Sequence, residues 1–409
     1  MYLSPINGQS IALNQPLPFS LVDKHGILLA KKGFVFESEK LLNDLESRGG
    51  GFFIDFKEGG KALRHAHQSY VNRLQSVIRN QKPLGEIAKV GVQYAPPLAA
   101  GALEPQPVDW PYVLMKCNVL LHSASAEKFA AGLEEMVAFL TQQNQHNPDG
   151  MLFALFYLSS EYITLYSATH SLLCSVMCVL AAKDVLRWSD EEVALLFRAT
   201  LTMNIGMTAL QDRLAMQKTP LDELQRAAVD GHTHLATDTL ESLGVEDRLW
   251  LDTVRNHHAY IHAPLQARRE AHRFAGLIQR ADVFSARLAP RVSRAPSSAA
   301  QAMRAIYFDS DMNVDGAGAA LIKAVGIYPP GSFVRLHSGE VAVVLQRGPN
   351  TAIPKVAVVL NRHALASVEP IVRDTSVPAY AIASHVLRGD VRVHLSLEKM
   401  LALTRARPA

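Results

Sequence analysis

Cysteine is scarce: three in 409 residues, Cys117, Cys174 and Cys178, with no C-x-x-C pair. That excludes a disulfide scaffold and a thiolate zinc module. Cys174 and Cys178 sit four apart in an apolar run and read as buried thiols of a reducing compartment. An excess of charge of one sign is also missing. There are 41 basic and 38 acidic residues, a net charge of +3, which is no electrostatic footprint for bulk nucleic acid or a membrane surface. DNA and RNA are therefore not expected partners. Uninterrupted apolar runs are lacking too. The longest apolar region, residues 151–182, is broken by Glu161, His170 and several hydroxyls, whereas a membrane span needs about 20 nearly unbroken apolar residues. It reads as buried core helices, with no membrane span. The first residues, Met1-Tyr-Leu-Ser-Pro5, carry no basic segment leading into an apolar run, so no secretory leader is expected and a cytoplasmic location is. Internal repeats and low-complexity tracts are absent.

What is there indicates large folded cores. Hydrophobic residues make up 48% of the chain and charged residues 19%, and the length exceeds one ordinary core. Residues 1–60 read as a small β-rich unit. A hairpin spans 19–30 around Gly26, a helical pattern follows at 37–48, and another strand at 52–56. Residues 61–108 combine an amphipathic helical pattern (61–81) with an Ala/Pro/Gly-rich linker (94–107). In residues 109–325 the spacing predicts helices over 125–143, 150–164, 167–183, 189–202, 221–243, 247–256 and 270–287, with Asp149 as a cap. Residues 326–409 predict strands at 332–336, 341–345 and 355–360, with Gly339 in a turn, and a short helix at 396–404. The expected class is multidomain and mainly α: an all-α helical domain flanked by a small N-terminal α+β unit and a C-terminal β-hairpin segment.

The chemistry is concentrated between His170 and Arg294. His170, the pair Met203-Asn204, His232, the doublet His257-His258 and Asp282 are too far apart for one local motif. A helical scaffold must gather them, and imidazole with carboxylate is the donor set of a metal site. In order and spacing these residues resemble the HD-GYP domain over roughly residues 160–330. Thr169-His170-Ser171 resembles its first histidine segment. Leu201-Thr-Met-Asn-Ile-Gly-Met207 falls where the family has its His-Asp dyad followed by Ile-Gly-Lys. His232 resembles the next ligand, Asn256-His257-His258 the histidine doublet, and Arg280-Ala-Asp-Val-Phe-Ser-Ala286 the late aspartate.

The departures fall where that family's chemistry lies. Met203 stands at the dyad histidine, Asn204 at the bridging aspartate and Met207 at the lysine. Ala259-Tyr-Ile-His-Ala-Pro-Leu265 lacks the GYP run. A thioether is too soft for a hydrolytic Mn²⁺ or Fe²⁺ pair, and a neutral amide offsets two dications poorly. The first metal position would keep only His170 and Asp282. The second would keep His232, His257 and His258, with Asn204 as a possible fourth ligand. One divalent transition metal, Fe or Mn, is the expected cofactor, with no metal at all as the alternative. Each residue also has a plainer reading: His170 with Asp282 as a helix-to-helix hydrogen bond, Met203 as core, Asn204 as a satisfied polar core residue, and the histidines as remnants. Residues 255–294 also hold eight arginines against two acids. Arginine forks suit phosphate oxygens, and Arg291 and Arg294 fall in a segment resembling the family's substrate-phosphate region. The plainer reading there is a solvated basic face. The resemblance implies a bacterial signalling protein. It is either a catalytically impaired cyclic di-GMP receptor or protein-interaction module, or an active phosphodiesterase on a reduced, histidine-rich site.

Overall fold

The computed structural model describes residues 108–405, except residues 124, 260–262, 295, 310, 392 and 394, together with parts of residues 3–55. The 61–81 helix, the 94–107 linker and most of the 37–48 pattern lie outside the described residues. The chain divides into two compact units, Met1–Gln106 and Pro107–Ala409.

In the first unit, β1 (Leu3–Ile6), β2 (Leu21–Val22), β3 (Leu28–Ala30) and β4 (Phe52–Asp55) form an antiparallel sheet in the order β1-β4-β2-β3. The expected 19–30 hairpin is β2–β3. Asp23 closes its turn by accepting the Ile27 N–H at 2.8 Å, and Gly26 takes a positive φ of 83°. Phe19, Leu21, Phe36 and Phe52 fill a small core.

The second unit is a helical domain with a sheet attached. Its helices are α1 (Trp110–Ser123), α2 (Ala126–His146), α3 (Pro148–Glu161), α4 (Tyr166–Leu180), α5 (Asp190–Thr202), α6 (Thr208–Met216), α7 (Glu223–Asp230), α8 (His232–Ser242), α9 (Arg248–Arg255), α10 (Glu270–Leu288), α11 (Ala299–Tyr307) and α12 (Gly316–Val325). The start of α5 is written locally: Ser189 and Glu192 form a reciprocal capping box. At α3 the cap is Asn147, which accepts the Gly150 N–H at 3.0 Å. Pro148 occupies the first turn, where its missing N–H costs nothing. Asp149, the expected cap, instead pairs with Arg347 at 2.6 Å. Every residue of α4 is buried, so it is the central helix. The segments Ile163–Leu186 and Asp190–Met216 are long and apolar enough to cross a membrane, yet 83% and 61% of their apolar windows are buried inside the protein. They are core helices here.

The sheet comprises β5 (Phe333–Leu336), β6 (Val341–Gln346), β7 (Lys355–Leu360), β8 (Ala366–Asp374) and β9 (Ile382–Val386), antiparallel in the order β8-β7-β6-β5-β9. The terminal helix is α13 (Leu397–Thr404). One sheet face, with Phe333, Val341, Val343 and Leu345, joins the helical core. The other, with Val334, Leu336, Ala342 and Val344, closes its own small core. Further ties to the helices are the Arg347–Asp149 pair and the Asn147 amide, which donates to Thr404 Oγ1 at 2.9 Å.

Candidate functional site: a histidine cluster on helix ends

The expected helix over residues 221–243 is two helices, broken at Gly231, whose N–H still bonds back to Ala227. The break has a chemical use. It places His232 at the start of α8, beside the Val229 carbonyl in the last turn of α7. His232 Nδ1 meets that carbonyl at 2.5 Å. The same device recurs 25 residues on. His257 lies just past α9, and its Nδ1 meets the Val254 carbonyl at 2.6 Å. A carbonyl can only accept, so both Nδ1 atoms carry the proton. Both Nε2 atoms then present lone pairs, and they face each other at 3.1 Å.

His258 completes the cluster. The three imidazoles place one ligand atom each within 4.8 Å of one another, with ring centroids 4.4–5.1 Å apart. His232 and His257 are buried; the His258 side chain is 42% exposed and forms the open side. Burial is the main cause that lowers the pKa of both inner histidines, with the charge of His258 adding to it, and His257 is pushed down to about 3. At neutral pH both are uncharged, the form that ligates a metal.

Asp282 joins this cluster to a second group. Its Oδ2 lies 3.7 Å from His258 Nε2, and its Oδ1 accepts from His170 Nε2 at 2.7 Å. His170 Nδ1 is 3.0 Å from Ser285 Oγ, one turn along α10 from Asp282, so the ring is gripped at both nitrogens by one helix. Burial would raise the Asp282 pKa. The hydrogen bond and charge of His170, followed by His258 and His257, overcome this and hold it well below the usual carboxylate range. The Tyr166 ring stacks on His170 at 5.5 Å with a 12° interplanar angle.

The remaining candidates sit differently. Met203 is wholly buried in the main core. Asn204 is buried with its Oδ1 unpartnered, and it opens the 3₁₀ turn Ile205–Met207. That turn packs directly on α8: a Cβ built at Gly206 would stand 2.6 Å from Ala236 N and 2.7 Å from Leu235 C. Gly206→Ala is therefore expected to lower stability by about 1–3 kcal/mol through overpacking against backbone. An unchanged denaturant midpoint would show that the turn is free to move. Arg291 lies 4.8 Å over the Tyr166 ring and donates to its hydroxyl at 2.8 Å, while Arg294 donates to the Ala286 carbonyl. The basic stretch is partly neutralised. Arg255, Arg273 and Arg280 pair with Asp238, Glu192 and Asp315, acids far away or outside the counted window.

No family model matches the chain. A curated relative, a cyclic di-GMP phosphodiesterase of Pseudomonas aeruginosa, is 29% identical over 210 residues, 49% of this chain and 48% of that protein. The chain is HD-GYP-like. It spans about half the length of that relative. Among solved structures, an HDG"Y"P protein from Bdellovibrio bacteriovorus matches with a TM-score of 0.38 and 12% identity, over 78% of this chain and 98% of that one.

Within this HD-GYP-like chain the donor set fits one ion better than two. A tetrahedral ion with bonds of about 2.0–2.1 Å to nitrogen separates its ligand atoms by about 3.4 Å, close to the His232–His257 spacing. The second shell is already in place, since backbone carbonyls fix both inner tautomers. A second ion would have to take His170 and Asp282 out of their mutual hydrogen bond and accept a neutral amide or a thioether beside them. The sequence pointed to the candidate ligands. It carried no signal for Ser285, Tyr166 or the two helix-end carbonyls that aim them.

Proposed function

We propose that this protein is a cytoplasmic bacterial signalling protein that binds cyclic di-GMP without turning it over efficiently. Its helical domain would hold a single divalent ion on His232, His257 and His258. One observation carries the reading: two buried neutral imidazoles whose lone pairs face each other at 3.1 Å, an arrangement that a cation between them stabilises. An ion there would supply a Lewis acid to a phosphate oxygen. The chain's own residues do the rest. His258, at the open side, meets the ligand first. Asp282 braces His258 and is itself kept ionised by His170. Arg291 and Arg294 would bind phosphate by giving up the Tyr166 hydroxyl and the Ala286 carbonyl. Asn204 supplies no negative charge to hold a second ion close by, which supports impairment. Protein partners would then read the nucleotide-bound state.

The alternative reading, an active phosphodiesterase on the reduced site, is favoured by the retained imidazoles alone. Purified protein incubated with cyclic di-GMP and Mn²⁺ or Fe²⁺ separates the two when the products are resolved by chromatography. The proposed outcome is saturable nucleotide binding with no linear product at high protein concentration. Metal-dependent turnover that disappears in a His257→Ala, His258→Ala variant would establish the enzyme instead.

A further inference from the structure

A groove of about 380 Å³ opens on the C-terminal sheet, away from the histidine cluster. Four of its lining residues form one cross-strand row: Ser384 pairs with Arg335, Arg335 with Val341, and Val341 with Leu360. Val341 and Val391 give it an apolar floor, and Asp390 stands in its wall. Arg362 enters from the turn after β7. The two arginines flank one turn. Arg335 Nη1 lies 3.5 Å from the Gly339 carbonyl, and a Cβ built at Gly339 would be 3.6 Å from Arg362 Cβ.

Two features single out this groove. Elsewhere in this region Arg347, Arg373 and Arg388 each meet a carboxylate, Asp149, Glu340 and Glu161. Among the described residues Arg335 and Arg362 meet none; Arg362 has only the neighbouring His363 ring, at 3.2 Å. The second feature is His385, which also lines the groove. Its Nε2 accepts the Ala299 N–H at 3.4 Å, so the ring proton sits on Nδ1, where the nitrogen is buried and has no acceptor.

We propose that this groove binds a small phosphate ester, with the phosphate held by Arg335 and Arg362, the organic part on Val341, Leu360 and Val391, and a ligand hydroxyl or amine donating to Asp390. Planar guanidinium forks match phosphate oxygens, and the volume suits one small molecule. The site is independent of the proposed metal and of cyclic di-GMP.

The test is a titration of the full chain with phenyl phosphate, followed by ligand-observed NMR, in chelator so that the histidine cluster holds no metal. Saturable binding is expected, with no binding of benzyl alcohol. Affinity should fall about tenfold or more in Arg335→Gln and in Arg362→Gln, the loss of one charge-assisted fork. The His257→Ala, His258→Ala variant should bind as the parent does. No saturation below about 10 mM, equal binding of benzyl alcohol, or unchanged affinity in both arginine variants would each overturn the proposal. Loss of binding in the histidine variant alone would overturn it too, by placing the phosphate at the cluster. Should Arg335→Gln, on a strand, melt early, Arg362→Gln in the turn decides alone.

Discussion

Replacing His257 and His258 together by alanine is expected to abolish divalent-metal binding while the helical unit stays folded. Four-ligand protein sites bind zinc with about 10–16 kcal/mol, so one ligand accounts for about 3 kcal/mol. Losing two of the three imidazoles costs about 6 kcal/mol, roughly four orders of magnitude in affinity. The folding cost is smaller. His257 is fully buried, and deleting its ring leaves a cavity worth about 2–4 kcal/mol. His258 is half-exposed and costs little. The measurement is metal content by mass spectrometry after equilibration in buffered Mn²⁺, Fe²⁺ or Zn²⁺, with a circular-dichroism melt alongside. Metal content equal to the parent's would sink the assignment. If the double variant does not fold, His258→Ala keeps the core intact and still loses one ligand.

How far the sequence foretold this site can be read residue by residue. The ligand candidates were legible because imidazole and carboxylate inside an otherwise apolar helical region are expensive unless used. The start of α5 at Ser189 was legible because the signal that sets it is only four residues long. Other features depend on helices crossing. Tyr166 and Ser285 matter only because α4 lies against α10, and no spacing within either helix reveals that. The charge count over residues 255–294 overstated the free arginines, since Glu192 and Asp315 reach Arg273 and Arg280 from elsewhere in the chain. Helix α12 was missed for a related reason. Gly316, Gly318 and the alanines around them make a poor helix pattern, yet a Cβ at Gly318 would stand 1.8 Å from the Ile306 carbonyl. Strands β8 and β9 escaped because Pro370 interrupts one, while Ser384 and His385 break the apolar pattern of the other.

The metal-free protein should lose stability steeply on mild acidification, and His257 should account for much of the loss. Its pKa falls from 6.5 to about 3 on folding, chiefly through burial, so between these values the unfolded chain binds a proton that the native state refuses. The contribution is fully present above pH 6.5 and declines as pH falls below it. At 1.36 kcal/mol per pH unit, moving from pH 7 to pH 5 removes about 2 kcal/mol. His232 is shifted in the same direction for the same reason and adds to the slope. Asp282 works in a lower window, because a depressed carboxylate loses its stabilisation only as pH falls below its ordinary value near 3.8. Denaturant midpoints recorded in chelator from pH 7 to pH 5 should therefore fall steadily in the parent and more shallowly in His257→Leu. That variant forfeits about 1 kcal/mol at every pH with its bond to Val254, so the slope, and not the offset, is the quantity to compare. Parallel profiles would mean that His257 takes up its proton in the native state over the same pH range as in the unfolded chain. Burial would then not hold the ring neutral, and that support for a cation between facing lone pairs would be gone.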